Sequence, residues 1–483
     1  MISSGRLNQL NVLNMPIHNF KLNIKTMKKK VYIKTWGCQM NVHDSSMIKN
    51  ILKATNQYTI IDQPEISDIL ILNTCSIREN AQEKLFHQLG RWKKLKKKKT
   101  KTIIAVGGCV ATQEGKKIYK RANFINIIFG PQTLHRLPKL LEQAYTNKKI
   151  LIDIKEKSLK KFDHSINKEI NKKITSFVTI IEGCNKYCSF CIVPYTRGKE
   201  TSRNNKDILT EITSLTQIGV REVILLGQNV NAYNIYNKKS KKKYRFSDLL
   251  YEIAAIPKID RIRYITSHPI EFSDDIIDAY KKIPQLTNFL HLPIQSGSNK
   301  ILRLMKRGYT VEKYEHIIDK LKHIRPNMTI SSDFIVGFPG ETDKDFQKTL
   351  DCVSKINFDT SYSFIYSQRP GTRAEKLIDT TSLEEKKKRL FLLQNTIKQQ
   401  ALRWKRRMLG TQQSVLVEGF MKNNIHELYG RTENNRIIIF TGNSNLIGKL
   451  INVTVTNINY HTCLQGKINK INTYKILNTR SAS

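Results

Sequence analysis

At 483 residues, with 40% hydrophobic and 25% charged side chains, the chain has an ordinary folded composition and room for two or three domains. Eight cysteines are too few for a disulfide scaffold, and no apolar run reaches the roughly 18–20 residues of a spanning helix, so a secreted mini-scaffold and a helical membrane protein are both excluded and a cytoplasmic chain with reduced thiols is expected. The 82 Lys plus Arg against 40 Asp plus Glu give a formal charge of +42, which suits a polyanionic partner, although a chain rich in Lys, Asn and Ile throughout reaches such a charge through biased coding alone.

Residues 1–27 show neither periodicity nor an apolar segment, and the first acidic residue is Asp44. A secretory signal is not expected there. The stretch reads as an unstructured extension ahead of a second start at Met27, or as a basic organellar presequence.

Residues 28–147 alternate short β-rich runs (Val31–Thr35, Ile69–Leu72, Thr102–Val106) with amphipathic stretches (Ser45–Lys53, Ala81–Leu95). That alternation predicts a parallel sheet with crossover helices. Lys93–Lys101 reads as a solvated connection and 148–173 as a polar linker.

A second β/α series occupies 174–408, with strands expected at Phe177–Ile181, Glu222–Leu226, Arg263–Thr266, Phe289–Leu292, Thr329–Val336 and Ser361–Tyr366. Six such units suit an open or partial barrel. Tyr236–Tyr244 reads as a basic surface loop, and Lys386–Arg407 as a basic helix. Over 409–475 the texture changes to short β runs (Ser414–Glu418, Arg436–Phe440, Leu450–Asn457), which predicts a small all-β barrel, and 476–483 is a tail.

The most specific signal is Cys184, Cys188 and Cys191, spaced C-x3-C-x2-C directly after the first strand of the second series. Three thiolates in one turn hold three corners of a 4Fe–4S cluster and leave one iron open. A structural zinc site needs a fourth nearby ligand, and none follows at zinc-finger spacing. Cys38, Cys75 and Cys109 each follow a predicted strand, at separations of 37 and 34 residues. In an open parallel sheet such strand ends meet at one edge, so a second cluster is expected there. Ordinary buried cysteines are the competing explanation. Gly37, Gly107 and Gly108 are expected to let the backbone approach that cluster. Cys352 and Cys463 read as packing residues, and His43, His268 and His291 as structural groups near strand ends.

With these blocks in view, the sequence resembles the methylthiotransferase family of radical S-adenosylmethionine (SAM) enzymes from about Lys28 to Lys470. The likeness runs through Thr35–Ser45, Asn73–Ala81, Gly107–Cys109, Gly183–Arg203, Leu225–Tyr233, Leu292–Ser298 and Asp333–Thr342. Ser46 departs from the acidic residue usual at that position. Within the family, Gly37–Ser45 and Gly227–Tyr233 resemble the branch acting on N(6)-dimethylallyladenosine of tRNA.

The resemblance implies an α/β chain made of an N-terminal parallel-sheet domain, a central radical-SAM partial (β/α)6 barrel and a C-terminal TRAM-like RNA-binding barrel. It implies two 4Fe–4S clusters, one on Cys38, Cys75 and Cys109 and a SAM-binding one on Cys184, Cys188 and Cys191. Phe190 is then expected near the adenine of SAM, with Gly227, Gln295 and Asp333 as further candidate SAM contacts.

The activity implied is transfer of a methylthio group to carbon-2 of the modified adenosine next to the anticodon. A flavodoxin or ferredoxin would donate electrons, and a separate donor would supply sulfur. Two other readings stand: a methylthiotransferase acting on a ribosomal-protein aspartate, and a non-catalytic RNA-binding iron–sulfur protein. Lys422, Arg431 and Arg436 near Tyr429 and Phe440 read either as an RNA-stacking platform or as core aromatics beneath a solvated basic face.

Overall fold

The computed structural model describes residues 28–75, 80–147, 149–154, 174–237, 242–421, 424–458 and 463–469. The expected extension, most of the expected linker, the tail, residues 76–79 and Lys422 lie outside the described residues.

Six strands open the chain: β1 (Lys29–Thr35), β2 (Tyr58–Ile61), β3 (Ile69–Thr74), β4 (Ile103–Gly108), β5 (Ile127–Phe129) and β6 (Leu151–Asp153). They form one all-parallel sheet in the order β2-β1-β3-β4-β5-β6. Every residue of β3 and β4 is buried. Ile69, Ile71, Ile103 and Ala105 face one helical layer, while Leu70, Leu72, Ile104 and Val106 face the other. A strand covered on both faces reads as a continuous apolar run, which is why these two stand out in the sequence.

Three of these six strands were not expected. Among them β6 lies in the stretch read as linker, yet pairs with β5 along Ile127–Phe129. The lysine-rich Lys93–Lys101 also differs from expectation. Lys93–Lys98 form the last turns of helix α2 (Asn80–Lys98), because lysine is a good helix former. Two of its cations are engaged: Lys96 Nζ donates to Phe124 O at 2.9 Å, and Lys99 pairs with Asp68 at 2.5 Å.

The second series builds a partial barrel of six parallel strands. They are Thr175–Thr179, Glu222–Leu226, Arg261–Tyr264, Phe289–His291, Thr329–Val336 (interrupted at Ser332) and Tyr362–Ile365. Between the third and fourth strands the ladder continues through Ile262 N–H to Gln285 O (2.8 Å) and Thr287 N–H to Ile262 O (3.3 Å). Among the described residues no ladder joins first strand to last, so the barrel is open. One continuous apolar core runs beneath its helices. The expected loop at Tyr236–Tyr244 is an antiparallel hairpin, Asn234–Asn237 against Lys242–Arg245.

A 26-residue helix, Leu383–Met408, leads into a closed five-stranded barrel of Gln412–Met421, Asn424–Thr432, Ile437–Thr441, Leu464–Ile468 and Leu450–Ile458. Its seat on the partial barrel is built from arginines reaching main-chain oxygens. Arg261 donates to Arg431 O (2.6 Å) and Ser414 O (2.8 Å), and Arg263 to Glu433 O (2.7 Å) and Thr432 O (2.8 Å).

The basic and aromatic residues singled out in the small barrel divide between its interior and its surface, with Tyr429 half-buried. Phe440 lies in the small barrel's core, Arg436 is buried against Asp359, and Arg431 pairs with Glu418 at 3.1 Å. No helix among the described residues is long and apolar enough to cross a membrane.

Candidate active site

Strands β1, β3 and β4 are neighbours in the sheet, and each is closely followed by a cysteine. Cys38 is the N-cap of helix α1 (Gln39–Ala54), Cys75 directly follows β3, and Cys109 opens helix α3 (Cys109–Glu114). Topology alone therefore brings three distant cysteines to one sheet edge.

Buried amides brace this edge. Asn73 Nδ2 donates to Asn41 O and to Ser45 Oγ, both at 2.9 Å, tying the end of β3 to the start of α1. The edge is electrostatically uneven. A hydrogen bond with Cys75, opposed by burial and helped by the Asn41 amide and nearby Arg197, holds the Cys38 thiol down to about 6. Burial instead pushes Cys109 up, with Arg197 pulling the other way.

Gly37 and Gly108 are crowded by neighbouring protein atoms. Gly108 (φ +94°) faces the Thr74 carbonyl oxygen, which would lie 2.2 Å from an added Cβ. At Gly37 (φ +130°) an added Cβ would fall 2.5 Å from Cys75 Cβ. Both admit neighbouring protein atoms that set the cysteines.

Cys184, Cys188 and Cys191 form a tight loop after the first barrel strand. Burial pushes Cys184 up to about 11 and Cys191 up to about 12, with the neighbouring thiols adding to both. Fully buried Arg307 donates to Cys188 Sγ at 3.4 Å and to Pro293 O at 2.8 Å. His268 lies 4.0 Å from the same sulfur through Nε2. Burial and the cations Arg307 and Lys186 push its imidazole well below the usual range. Its Nδ1 accepts from Ile270 N–H at 3.3 Å, so the neutral ring presents Nε2–H to Cys188.

Between the two cysteine sets stands Arg197. Its guanidinium donates to Asp44 Oδ2 on α1 at 2.5 Å and to Glu182 Oε1, two residues before Cys184, at 2.8 Å.

The other expected site residues are spread around the barrel's upper end. Phe190 packs against Ile301, Met305, Phe338, Tyr366 and Ala374. Gly227 lies close against Ile181, and its carbonyl accepts from Thr266 Oγ1 at 2.5 Å. Gln295 takes a left-handed conformation (φ +77°) and donates through its N–H to Asp333 O at 2.9 Å. The Asp333 carboxylate faces His291 Nε2 at 3.4 Å. Cys352 is buried in a helix, as expected of a packing residue.

Three family models match the chain: "Uncharacterized protein family UPF0004" over 30–130, "Radical SAM superfamily" over 178–353 and "TRAM domain" over 406–467. A tRNA-2-methylthio-N(6)-dimethylallyladenosine synthase of Buchnera aphidicola subsp. Cinara cedri is 69% identical over 431 residues, covering 89% of this chain and 99% of that protein. The chain belongs to the tRNA-2-methylthio-N(6)-dimethylallyladenosine synthase family.

Other synthases similar to it come from Buchnera aphidicola subsp. Schizaphis graminum (58% identity over 91% of this chain and 100% of that one) and Escherichia coli O139:H28 (55% over 92% and 93%). Among solved structures, the radical-SAM methyltransferase TsrM from Kitasatospora setae, with cobalamin and a 4Fe–4S cluster bound, superposes with a TM-score of 0.51 at 11% identity. It covers 72% of this chain and 77% of that one, a likeness of fold alone.

In this synthase-family chain the N-terminal model spans Cys38, Cys75 and Cys109, and the radical-SAM model spans the other three cysteines together with Arg307. An iron–sulfur cluster and SAM are the cofactors of that superfamily. The side chains at the synthase site that sequence reasoning did not single out are Arg197, Arg307, Asn41 and Asn73. Arg197, Asn41 and Asn73 lie inside matched blocks, which was the available signal, while Arg307 carried none.

Proposed function

We propose that this chain places a methylthio group on carbon-2 of N(6)-dimethylallyladenosine beside the anticodon of tRNA, acting in the cytoplasm with two 4Fe–4S clusters. Cys184, Cys188 and Cys191 would hold the SAM-binding cluster, and Cys38, Cys75 and Cys109 the other. The observation that carries the reading is that the three N-terminal cysteines sit on adjacent strand ends, with Arg197 joining that edge to the segment leading into Cys184.

The donor sets fit the clusters. Each offers three cysteines outside any disulfide. Among the described residues no three His, Cys, Asp or Glu side chains gather as closely as one metal ion needs, whereas a cuboidal cluster takes its cysteines at separate corners. Buried thiols held up to about 11 and 12 ionise only against a strong local cation, which an iron cluster provides.

With SAM bound, such a cluster supplies radical chemistry at a C–H bond that no side-chain acid or base could break. The protein's share is orientation and shielding. Arg307 and the Nε2–H of His268 present hydrogen-bond donors to the Cys188 sulfur, a contact that tunes an iron–sulfur site toward higher potential. Phe190, Gly227, Gln295 and Asp333 would contact SAM around the open barrel end.

Exposed Tyr187 and Tyr195 stand edge to face at 6.3 Å beside the cysteine loop and offer aromatic surface to an unstacked base. Electrons would come from a flavodoxin or ferredoxin, and sulfur from a separate donor.

The test is anaerobic turnover of a dimethylallyl-modified anticodon stem-loop by wild type and Cys109→Ala. Wild type is expected to form methylthio-adenosine and the variant none. Product from the variant at the wild-type level would remove the second cluster from the reading.

A further inference from the structure

We propose that Arg197 is the positioning residue that couples the two cysteine sets, fixing the N-terminal sheet edge against the barrel loop and supplying the fixed cation between them. The inference rests on the reading of both sets as cluster ligands.

Three observations converge on this side chain. Arg197 is 3% exposed, and its two partners come from different parts of the molecule. Asp44 lies on α1, whose cap is Cys38, and Glu182 directly precedes Gly183 and Cys184. One planar guanidinium thus ties down the segment carrying a cysteine of each set. Its third neighbour is Cys109, at the start of the helix packed against the short helix that ends just before Arg197.

Only arginine can do this. Its rigid fork serves two carboxylates in different directions at once, whereas a lysine ammonium on a flexible stem serves one well. The surroundings also argue against a simple inter-domain salt bridge. Arg197 faces two carboxylates and stands beside Cys109 and Cys38, in a site buried enough for the charge to act at close range. Buried Arg203 nearby is committed to Glu211 and does not duplicate this role.

The test uses reconstituted holoenzyme and apo-protein of wild type, Arg197→Lys, Arg197→Gln and Asp44→Asn. In Arg197→Lys and Asp44→Asn, the methylthio-adenosine formed per 5′-deoxyadenosine released is expected to fall about 100-fold, the loss that a displacement of about 1 Å causes. In the apo forms, amide exchange over residues 38–45 should quicken about tenfold or more. Arg197→Gln should also move the N-terminal cluster's midpoint potential to more negative values, with Arg197→Lys moving it back, a readout that a purely structural tie leaves untouched.

A product ratio within about twofold of wild type in both Arg197→Lys and Asp44→Asn overturns the proposal. If an arginine variant does not fold, the nearly isosteric Asp44→Asn decides on the same ratio. A wild-type ratio in Cys109→Ala would instead overturn the cluster reading beneath it.

Discussion

Gly108 shows how one position sets a cysteine. Its φ of +94° and the Thr74 oxygen 2.2 Å from a notional Cβ leave no room for any side chain. Gly108→Ala is expected to lose about 2–4 kcal/mol of stability through backbone strain and overpacking, and to bind less iron at the N-terminal edge. Urea unfolding of the apo-protein and iron counts after reconstitution measure both; stability within about 0.5 kcal/mol of wild type would contradict the geometry. At this scale the cysteines were legible because spacing alone reports them. The need for glycine was legible too, but its cause was not, since the atoms that crowd Gly108 belong to another strand. Arg307 was illegible for the same reason, and Arg197, though inside a matched block, gave no sign of its role. Their meaning lies in partners 153 and 119 residues away, and arginine is common in so basic a chain.

The helix Asp343–Ile356 is started by Thr342 and Asp345, which cap each other's backbone N–H groups. Asp345 also accepts from Ser298 Oγ at 2.7 Å and Lys300 Nζ at 3.0 Å, fastening the helix to the loop after Gln295. Burial pushes its carboxyl up, but Ser298, Thr342 and Lys300 more than offset this and hold it well below the usual carboxylate range. The stabilisation is therefore complete at pH values above the ordinary Asp range near 4 and is lost as pH falls through the depressed folded value. Asp345→Asn should cost about 2 kcal/mol at pH 7, and the gap to wild type should narrow progressively as pH falls below about 4, as denaturant titrations at several pH values would show. A gap that stays constant down to about pH 2 would exclude the carboxylate as its source. Long buried strands such as β3 and β4 were readable from their apolar runs. The three-residue β5 and β6 were not, since so short a segment carries no period and gains its strand character from the neighbour it pairs with.

Across the whole molecule, the two barrels share a joint whose charges are matched. Glu222, fully buried, is bonded by Arg263 Nε at 2.8 Å and faces Arg261 at 3.9 Å. Burial, with Arg263 adding to it, lowers Arg261 to about 10. Arg263→Met should destabilise the chain by about 3 kcal/mol, because Glu222 loses its hydrogen-bonded partner in the interior. The small barrel should then unfold ahead of the rest, seen by calorimetry as a shoulder absent from wild type. An unchanged single transition would show that Arg263 is not what seats it. The three-part architecture was legible from changes of texture along the chain. This joint was not, and the +42 charge was a poor guide, since Arg261, Arg263 and Arg436 spend theirs on internal contacts.

The joint also has an evolutionary corollary. Arg261 and Arg263 chiefly grip carbonyl groups, which every amino acid possesses, on Ser414 and on the small barrel's hairpin at Arg431–Glu433, so they depend little on which side chains that hairpin carries. Apart from Arg436 and Glu433, whose side chains reach Asp359 and Asn288, its residues are free to drift without loosening the hold. A chimera carrying the small barrel of a distant relative should seat in the same place, provided the hairpin keeps its path.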